Sequence, residues 1–329
     1  MIEILRPGLQ TSVQDLGRPG YRHLGVALCG ALDGPALGMA NRLVGNADKL
    51  AGLEITGAPA AIRFLRAACF ALCGADCSAS LDGTAITPGW RNHVAAGQTL
   101  KLSIARTGMR AYLAIDGGID VPAIMGSRAT DLQARLGGLD GRALKAGDQL
   151  PLGLASNDSR RFGTLLPEWT AEIRALPGPE FEDFPATAQS AFFDQAWTVS
   201  PQSNRMGCRL KGPVLERNSI GDMLSHAVLP GCIQVPPNGQ PIALLADAQT
   251  TGGYPCIAVV IEADLWKFAQ ATSGTRLRFT RTDIAGAREA REKWARARAR
   301  FELSAYGKPG DSGDSGEYSE HETRDDEHD

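Results

Sequence analysis

At 329 residues the chain is too long for one ordinary core, and two domains are expected. Hydrophobic residues make up 43% and charged residues 22%, a globular balance. The 34 Lys and Arg stand against 37 Asp and Glu, a formal charge of -3, which removes the electrostatic argument for nucleic-acid binding.

Nor does any apolar run approach the ~20 residues needed to span a bilayer. The opening "MIEILRPGLQTSVQD" lacks a basic segment followed by a long apolar one, so no signal peptide is expected and the location is read as cytoplasmic. "PGLQTSVQDLGRPGYRHLGV" (7–26) is the first polar, glycine-flanked stretch. It carries Gln10, Thr11, Gln14, Asp15 and Arg18. Arg18 is suited to clamp a carboxylate or phosphate, with Asp15 to orient it or act as a base. The plainer reading is a surface loop in which Asp15 and Arg18 pair with each other. "DGPALGMANRLVGN" predicts a helix, with Asp33 as cap, Pro35 near the start, and Leu37, Ala40 and Leu43-Val44 as its apolar face.

Short β-type runs then recur between Gly, Pro and Asp: "AIRFL", "QTLKLSIAR", "RAYLAI", "QLPLG", "CIQVPP", "PIALLA", "CIAVVI" and "RLRFTRT". This predicts a mainly β protein of the barrel or sandwich kind, with a few short helices, one of them a single turn in "ADLWKFAQ". Three stretches, 95–107, 145–153 and 272–283, each place a small residue and Gly before a strand. They predict glycine at positive φ and hint at two similar barrels. Cys69, Cys73 and Cys77 follow one another at intervals of four. A zinc site needs a fourth ligand and usually a tighter pair, so buried free thiols are the favoured reading, and no metal is expected.

"DGGIDVPAIMGSRATDLQARLGGLDGR" (116–142) is the second polar stretch. Its "GSR" turn can offer backbone N–H groups to an anion, with Arg128 adding charge; otherwise it is a loop joining two strands. The third, "SPQSNRMGCRLKGP" (200–213), carries Ser203, Asn204 and Arg205, either as an anion site or as a β-turn. In the fourth, Gln234 alternates with apolar neighbours and Asp247 closes an apolar strand, where a carboxylate is costly unless paired or functional. "ADAQTTGGYP" beyond it, with Thr250 and Thr251, reads as a hairpin turn or as a pocket wall. The sequence has no G-x-S-x-G, H-E-x-x-H or Walker motif, so carboxylate, amide and guanidinium groups must carry any chemistry. The expected organisation is a first β-barrel domain over 1–160 and a second over 161–286. A charged helix over 287–303 and a disordered acidic tail over 304–329 follow.

Taken in order, these stretches, with "LEIT", "SNRMGCRL", "IQVPPNGQPIALLADAQTTGGYP" and "IEADL", resemble the biotin-dependent carboxyltransferase-like family. That family is also called allophanate hydrolase subunit 2, and includes the C subunit of 5-oxoprolinase. The resemblance is collinear from residue 3 to about residue 283. It implies two cyclophilin-like β-barrel domains. It also implies a subunit 1-like partner (the B type of 5-oxoprolinase) and a lactam-utilisation partner (the A type). Together these open 5-oxo-L-proline to L-glutamate with ATP and water, this chain being inactive alone. Two alternatives are a carboxyltransferase component acting on urea or an amide with a separate biotin carrier, and a non-catalytic regulatory partner. No biotin-acceptor A/V-M-K-M lies in the chain. In lactam opening, Arg205 or Arg18 would hold anionic oxygen, Gln234 and Thr250 would bind amide groups, and Asp247 would orient water or the lactam N–H. Asp247 and Arg205 are thus the catalytic candidates. Gln10, Thr11, Gln14, Asp15, Arg18, Arg128, Ser203, Asn204, Gln234, Thr250 and Thr251 are the substrate-binding ones. Asn204 departs from the family's usual Asp, and is read as structural or ligand-orienting.

Overall fold

The structure is a computed structural model, and it describes residues 1–57, 59–155, 160, 162–218 and 223–306. Most of the tail expected over 304–329 lies outside the described residues.

In the first half, alternating apolar residues build two sheets over one core. One sheet has six strands, in the order 149–150, 2–7, 60–64, 99–102, 80–81 and 84–85. The other has five, in the order 10–14, 52–56, 107–115, 68–76 and 91–94. Ile2, Ile4, Leu53, Phe64, Phe70, Leu100 and Leu113 meet between them. The strand Ala68–Asp76 is buried on both faces. Phe70 and Leu72 point into that core, while the smaller Cys69, Ala71 and Cys73 pack beneath helix α1 (Gly34–Leu43). The four-residue spacing of Cys69 and Cys73 therefore comes from strand alternation under a helix, and Cys77 belongs to the inter-sheet core. All seven cysteines are free.

Asp33 caps α1 as expected, accepting from Ala36 N at 2.9 Å. Gly97, Gly147 and Gly274 precede their strands at φ 89°, 88° and 85°, with open space where a Cβ would lie. Backbone conformation, not crowding, demands glycine there.

The second half closes into a seven-stranded barrel: 172–177, 256–260, 232–234, 242–244, 207–211, 196–199 and 276–281. A parallel pairing of 172–175 with 278–281 completes the ring. Helix α2 (Ala186–Asp194) packs on this barrel, with Phe192 stacked on Phe279 at 4.7 Å and Trp197 beside Phe192. A short helix α3 (Trp266–Gln270) lies between the halves and packs on strand 107–115.

Helix α4 (Ile284–Tyr306) is longer than the 287–303 expected. It is mostly exposed, yet Ala290 and Phe301 are buried. Trp294 meets Trp266 edge-on at 6.2 Å, and Phe301 meets Phe162 at 6.2 Å. A thin apolar stripe thus ties α4 to both halves. Phe192→Ala should cost about 3–5 kcal/mol, because it empties a stacked aromatic site that has little room to collapse. The shift in the denaturant midpoint at unchanged slope measures this.

Candidate functional site

The apolar runs 242–244 and 256–260 do not pair with each other. Both flank the strand 232–234. The segment between them is therefore not a plain hairpin, and its backbone is stitched to other parts of the chain. Cys29 N donates to Ala246 O at 2.9 Å, Asp247 N to Arg205 O at 3.1 Å, and Val228 N to Thr250 O at 3.0 Å. Arg22 donates to Gln249 O at 3.1 Å, and Thr251–Gly252 pairs with His226–Ala227. A Cβ on Gly252 would lie 2.6 Å from Gln234 Nε2, so glycine leaves room for that buried amide, which donates to Tyr254 O at 3.1 Å.

Arg205 sits at the centre, 4% exposed. Its Nε and Nη2 donate to the two oxygens of Asp247, each at 2.8 Å. Nη1 donates to Glu54 Oε1 at 2.5 Å and Nη2 to Gly30 O at 2.6 Å. Glu54 and Gly30 belong to the first half, and Asp247 to the second. Arg110 Nε lies 3.6 Å from Glu54 Oε1, so two carboxylates face two guanidiniums. Burial works to lower the Arg205 pKa, but Glu54 and Asp247 carry it upward. For Glu54, burial acts to raise the pKa and Arg205 and Arg110 override it, holding the carboxylate below its usual range. Burial wins at Asp247, whose pKa is raised in spite of Arg205.

The network continues. Glu54 Oε2 accepts from Tyr112 Oη and from Leu32 N, both at 2.9 Å. Gln270 Nε2 donates to Asp33 Oδ2 at 2.8 Å, and Arg110 Nη1 donates to Ala269 O at 2.7 Å. Burial pushes Asp33 up to about 6, partly offset by Gln270 and Ala36 N. Asp33 and Gln270 also line a cleft of about 580 Å³ between the halves, walled by Trp169, Trp266 and Trp294.

The 7–26 and 116–142 stretches do meet, though not through an Asp15–Arg18 pair. Asp15 accepts from Ser127 Oγ at 2.7 Å, Arg128 N at 2.6 Å and Gly17 N at 2.8 Å, so it holds the GSR turn. Arg128 is spent on Val121 O and Asp120, both at 2.7 Å. Arg18 is fully buried and donates through Nη2 to Ala129 O, while its Nε and Nη1 have no partner among the described residues. Gln14 is buried too, donating to Ser12 Oγ and Thr130 O, with Oε1 left without a donor among the described residues. Thr11 donates to Pro7 O, and Gln10 lies on the edge strand 10–14, opposite Thr56. Ser203 Oγ accepts from Arg209 N at 3.0 Å. Asn204 Oδ1 accepts from Met206 N at 2.9 Å and Gly207 N at 3.3 Å, a turn that Asp would make equally well.

Glu54, Tyr112, Arg110 and Gln270 are not among the residues that the sequence marks as functional. The available signal was Glu54 itself, a carboxylate inside the otherwise apolar strand "GLEIT".

A half of two facing sheets and a half closed into a barrel, joined across a buried ion cluster, make up a mainly β fold. Residues 24–281 match the family model described as carboxyltransferase domain, subdomain A and B, and the chain belongs to that family. It is 50% identical to the C subunit of the Escherichia coli 5-oxoprolinase over 89% of this chain and 94% of that one. It is 41% identical to the C subunit of the Haemophilus influenzae 5-oxoprolinase over 89% and 95%. The crystal structure of the K. lactis urea amidolyase superposes with a TM-score of 0.85 at 32% identity. That match covers 92% of this chain but only 20% of the amidolyase.

The raised pKa of Asp33 sets a pH dependence. Its native state keeps a proton that the unfolded chain releases near the ordinary value of 3.8, so stability falls as pH rises from about 4 to about 6. Asp33→Asn keeps a capping oxygen and removes this titration. The wild-type stability should drop relative to Asp33→Asn across that window, by on the order of 3 kcal/mol, and then run parallel above it. Urea unfolding at stepped pH measures the difference.

Proposed function

We propose that this chain acts as the C-type subunit of an ATP-dependent 5-oxoprolinase, opening 5-oxo-L-proline to L-glutamate only within a complex. A subunit 1-like protein (the B type) and a lactam-utilisation protein (the A type) complete it, in the cytoplasm. The observation that carries this reading is 50% identity to the C subunit of the E. coli 5-oxoprolinase across 94% of its length. The carboxyl-transfer alternative has weaker support, since the chain spans only a fifth of the urea amidolyase it resembles. Among the described residues no helix is long and apolar enough to cross a membrane.

Lactam opening requires a held carboxylate, a stabilised carbonyl oxygen and a delivered water. Arg18 is the better anion holder of the two arginines considered. Arg205 is occupied by Asp247, Glu54 and Gly30, whereas among the described residues Arg18 keeps Nε and Nη1 unpartnered. A buried guanidinium with open donors is costly until an anion or water meets it. Gln14 Oε1 is an open acceptor of the kind a lactam N–H needs. Asp247 keeps its role of orienting water or the lactam N–H. Each of its oxygens takes one bond from Arg205 and retains a lone pair, and Arg205 fixes its direction.

The lining of the inter-half cleft is unfavourable to a triphosphate. Asp33, Asp76 and Glu168 line it, and no Lys or Arg does among the described residues. ATP binding within the assembled complex remains part of the same proposal.

The test is ADP release dependent on 5-oxo-L-proline, with this chain alone and mixed with its two partners. Turnover is expected only in the full mixture. Arg18→Met in that mixture should lower kcat/KM roughly 100-fold, the loss of a charge-assisted pair, with assembly unchanged. A stable complex without turnover would contradict the reading and favour carboxyl transfer or regulation; full activity of Arg18→Met would remove Arg18 from the site.

A further inference from the structure

The cleft of about 580 Å³ between the halves is separate from the Arg18 and Gln14 pair, neither of which lines it. Three of the five tryptophans, Trp169, Trp266 and Trp294, wall it. Trp266 and Trp294 stand almost perpendicular, at 84° with ring centroids 6.2 Å apart, and make an aromatic corner. Trp169 is held by its own Nε1, which donates to Lys267 O at 2.9 Å. Among the described residues every ionisable side chain lining the cleft is acidic: Asp33, Asp76 and Glu168.

The neighbouring cations are engaged elsewhere. Lys267 of α3 donates to Glu172 O at 2.6 Å and lies 3.3 Å from Asp264. Arg110 is committed to Ala269 O and Glu54. Asp33 is set in place by Gln270, whose Oε1 accepts from Met109 N at 3.1 Å and Arg110 N at 3.2 Å while Nε2 donates to the carboxylate. Each Asp33 oxygen accepts one bond, from Ala36 N or Gln270 Nε2, and keeps a lone pair. Trp266 is 6% exposed, yet its Nε1–H has no acceptor among the described residues.

We propose that this cleft binds an organic ammonium ion that carries an oxygen acceptor near its charge, of the choline-ester kind. The carboxylates select the sign of the ligand and the tryptophans its chemistry. A metal ion needs several converging oxygen ligands, and among the described residues no three His, Cys, Asp or Glu come together to hold one. An alkylated ammonium is held differently, by indole rings against its methyl groups and by carboxylates that supply the balancing charge. The ligand oxygen accepts from Trp266 Nε1, a donor that is costly to bury unmatched. The volume falls among small-molecule pockets, roughly 300–1,000 Å³, and suits an ester-sized ligand better than a bare ion. Burial lifts Asp33 only to about 6, so it is ionised at neutral pH.

The experiment titrates the full-length chain with acetylcholine at neutral pH and constant ionic strength, following tryptophan fluorescence and calorimetric heat. Neohexyl acetate, the uncharged carbon isostere, is titrated beside it. Saturable binding of acetylcholine, roughly tenfold tighter than the isostere or more, is expected. Trp294→Ala removes one wall outside both main cores and should weaken acetylcholine roughly tenfold. Glu168→Gln neutralises an exposed carboxylate and should weaken it several-fold, with the far-ultraviolet circular dichroism unchanged. Equal binding of the isostere would mean an apolar pocket that ignores charge, and would overturn the proposal. So would the absence of saturable acetylcholine binding, or an affinity that neither variant changes.

Discussion

Everything in the site hangs on one buried guanidinium. Arg205 has three demanding neighbours: the carboxylates of Glu54 and Asp247 and the carbonyl of Gly30. Removing these charges from water is expensive, and their attraction offsets the cost only because nearly every donor is used. Glu54 and Gly30 come from the first half and Asp247 from the second, so the ion cluster also fixes how the halves meet. Arg110 brings the local balance to two carboxylates and two guanidiniums.

From that point order spreads in two directions. Through Asp247 and the Arg205 carbonyl it reaches the 247–252 segment, whose backbone is then tied to Cys29, Arg22 and the 226–228 segment. Through Glu54 it passes by Tyr112 to Asp33 N, and by Asp33 to Gln270 and the tryptophan-walled cleft. The loop that looks most like a binding element is therefore held by main-chain bonds and a buried ion pair, with Ala248 packed against Val228 and Leu244. Arg18 takes no part in that task, while Gln234 contributes one bond to Tyr254 O.

Local signals were legible in the sequence. Alternation placed the strands, Asp33 announced α1, and the glycines before three strands marked positive φ. The "ADAQTTGGYP" segment reads as a hairpin turn or a pocket wall, and the plain hairpin fails because its flanking strands both pair with 232–234. Partners were not legible. Arg205 reads as an open anion ligand because a sequence displays its donors and hides Glu54, 151 residues away. Asp15 and Arg18 look like a natural pair three residues apart, yet Asp15 holds a turn 112 residues distant in sequence. The charged helix has only a thin apolar stripe, so its docking through Trp294 and Phe301 left a weak pattern. Closure was also invisible. Short alternating strands fit equally well the two facing sheets of the first half and the closed ring of the second.

The central claim is that Glu54, Arg205 and Asp247 act as one buried unit. It is tested most directly by denaturant unfolding of Arg205→Met alone and of the triple variant Glu54→Gln, Arg205→Met, Asp247→Asn. Arg205→Met alone leaves two buried carboxylates without their shared cation, and should cost about 3–5 kcal/mol. The triple variant should be less destabilised than that single change, because neutralising the carboxylates removes the uncompensated charge. A triple variant destabilised as much as Arg205→Met alone, or more, would contradict the account.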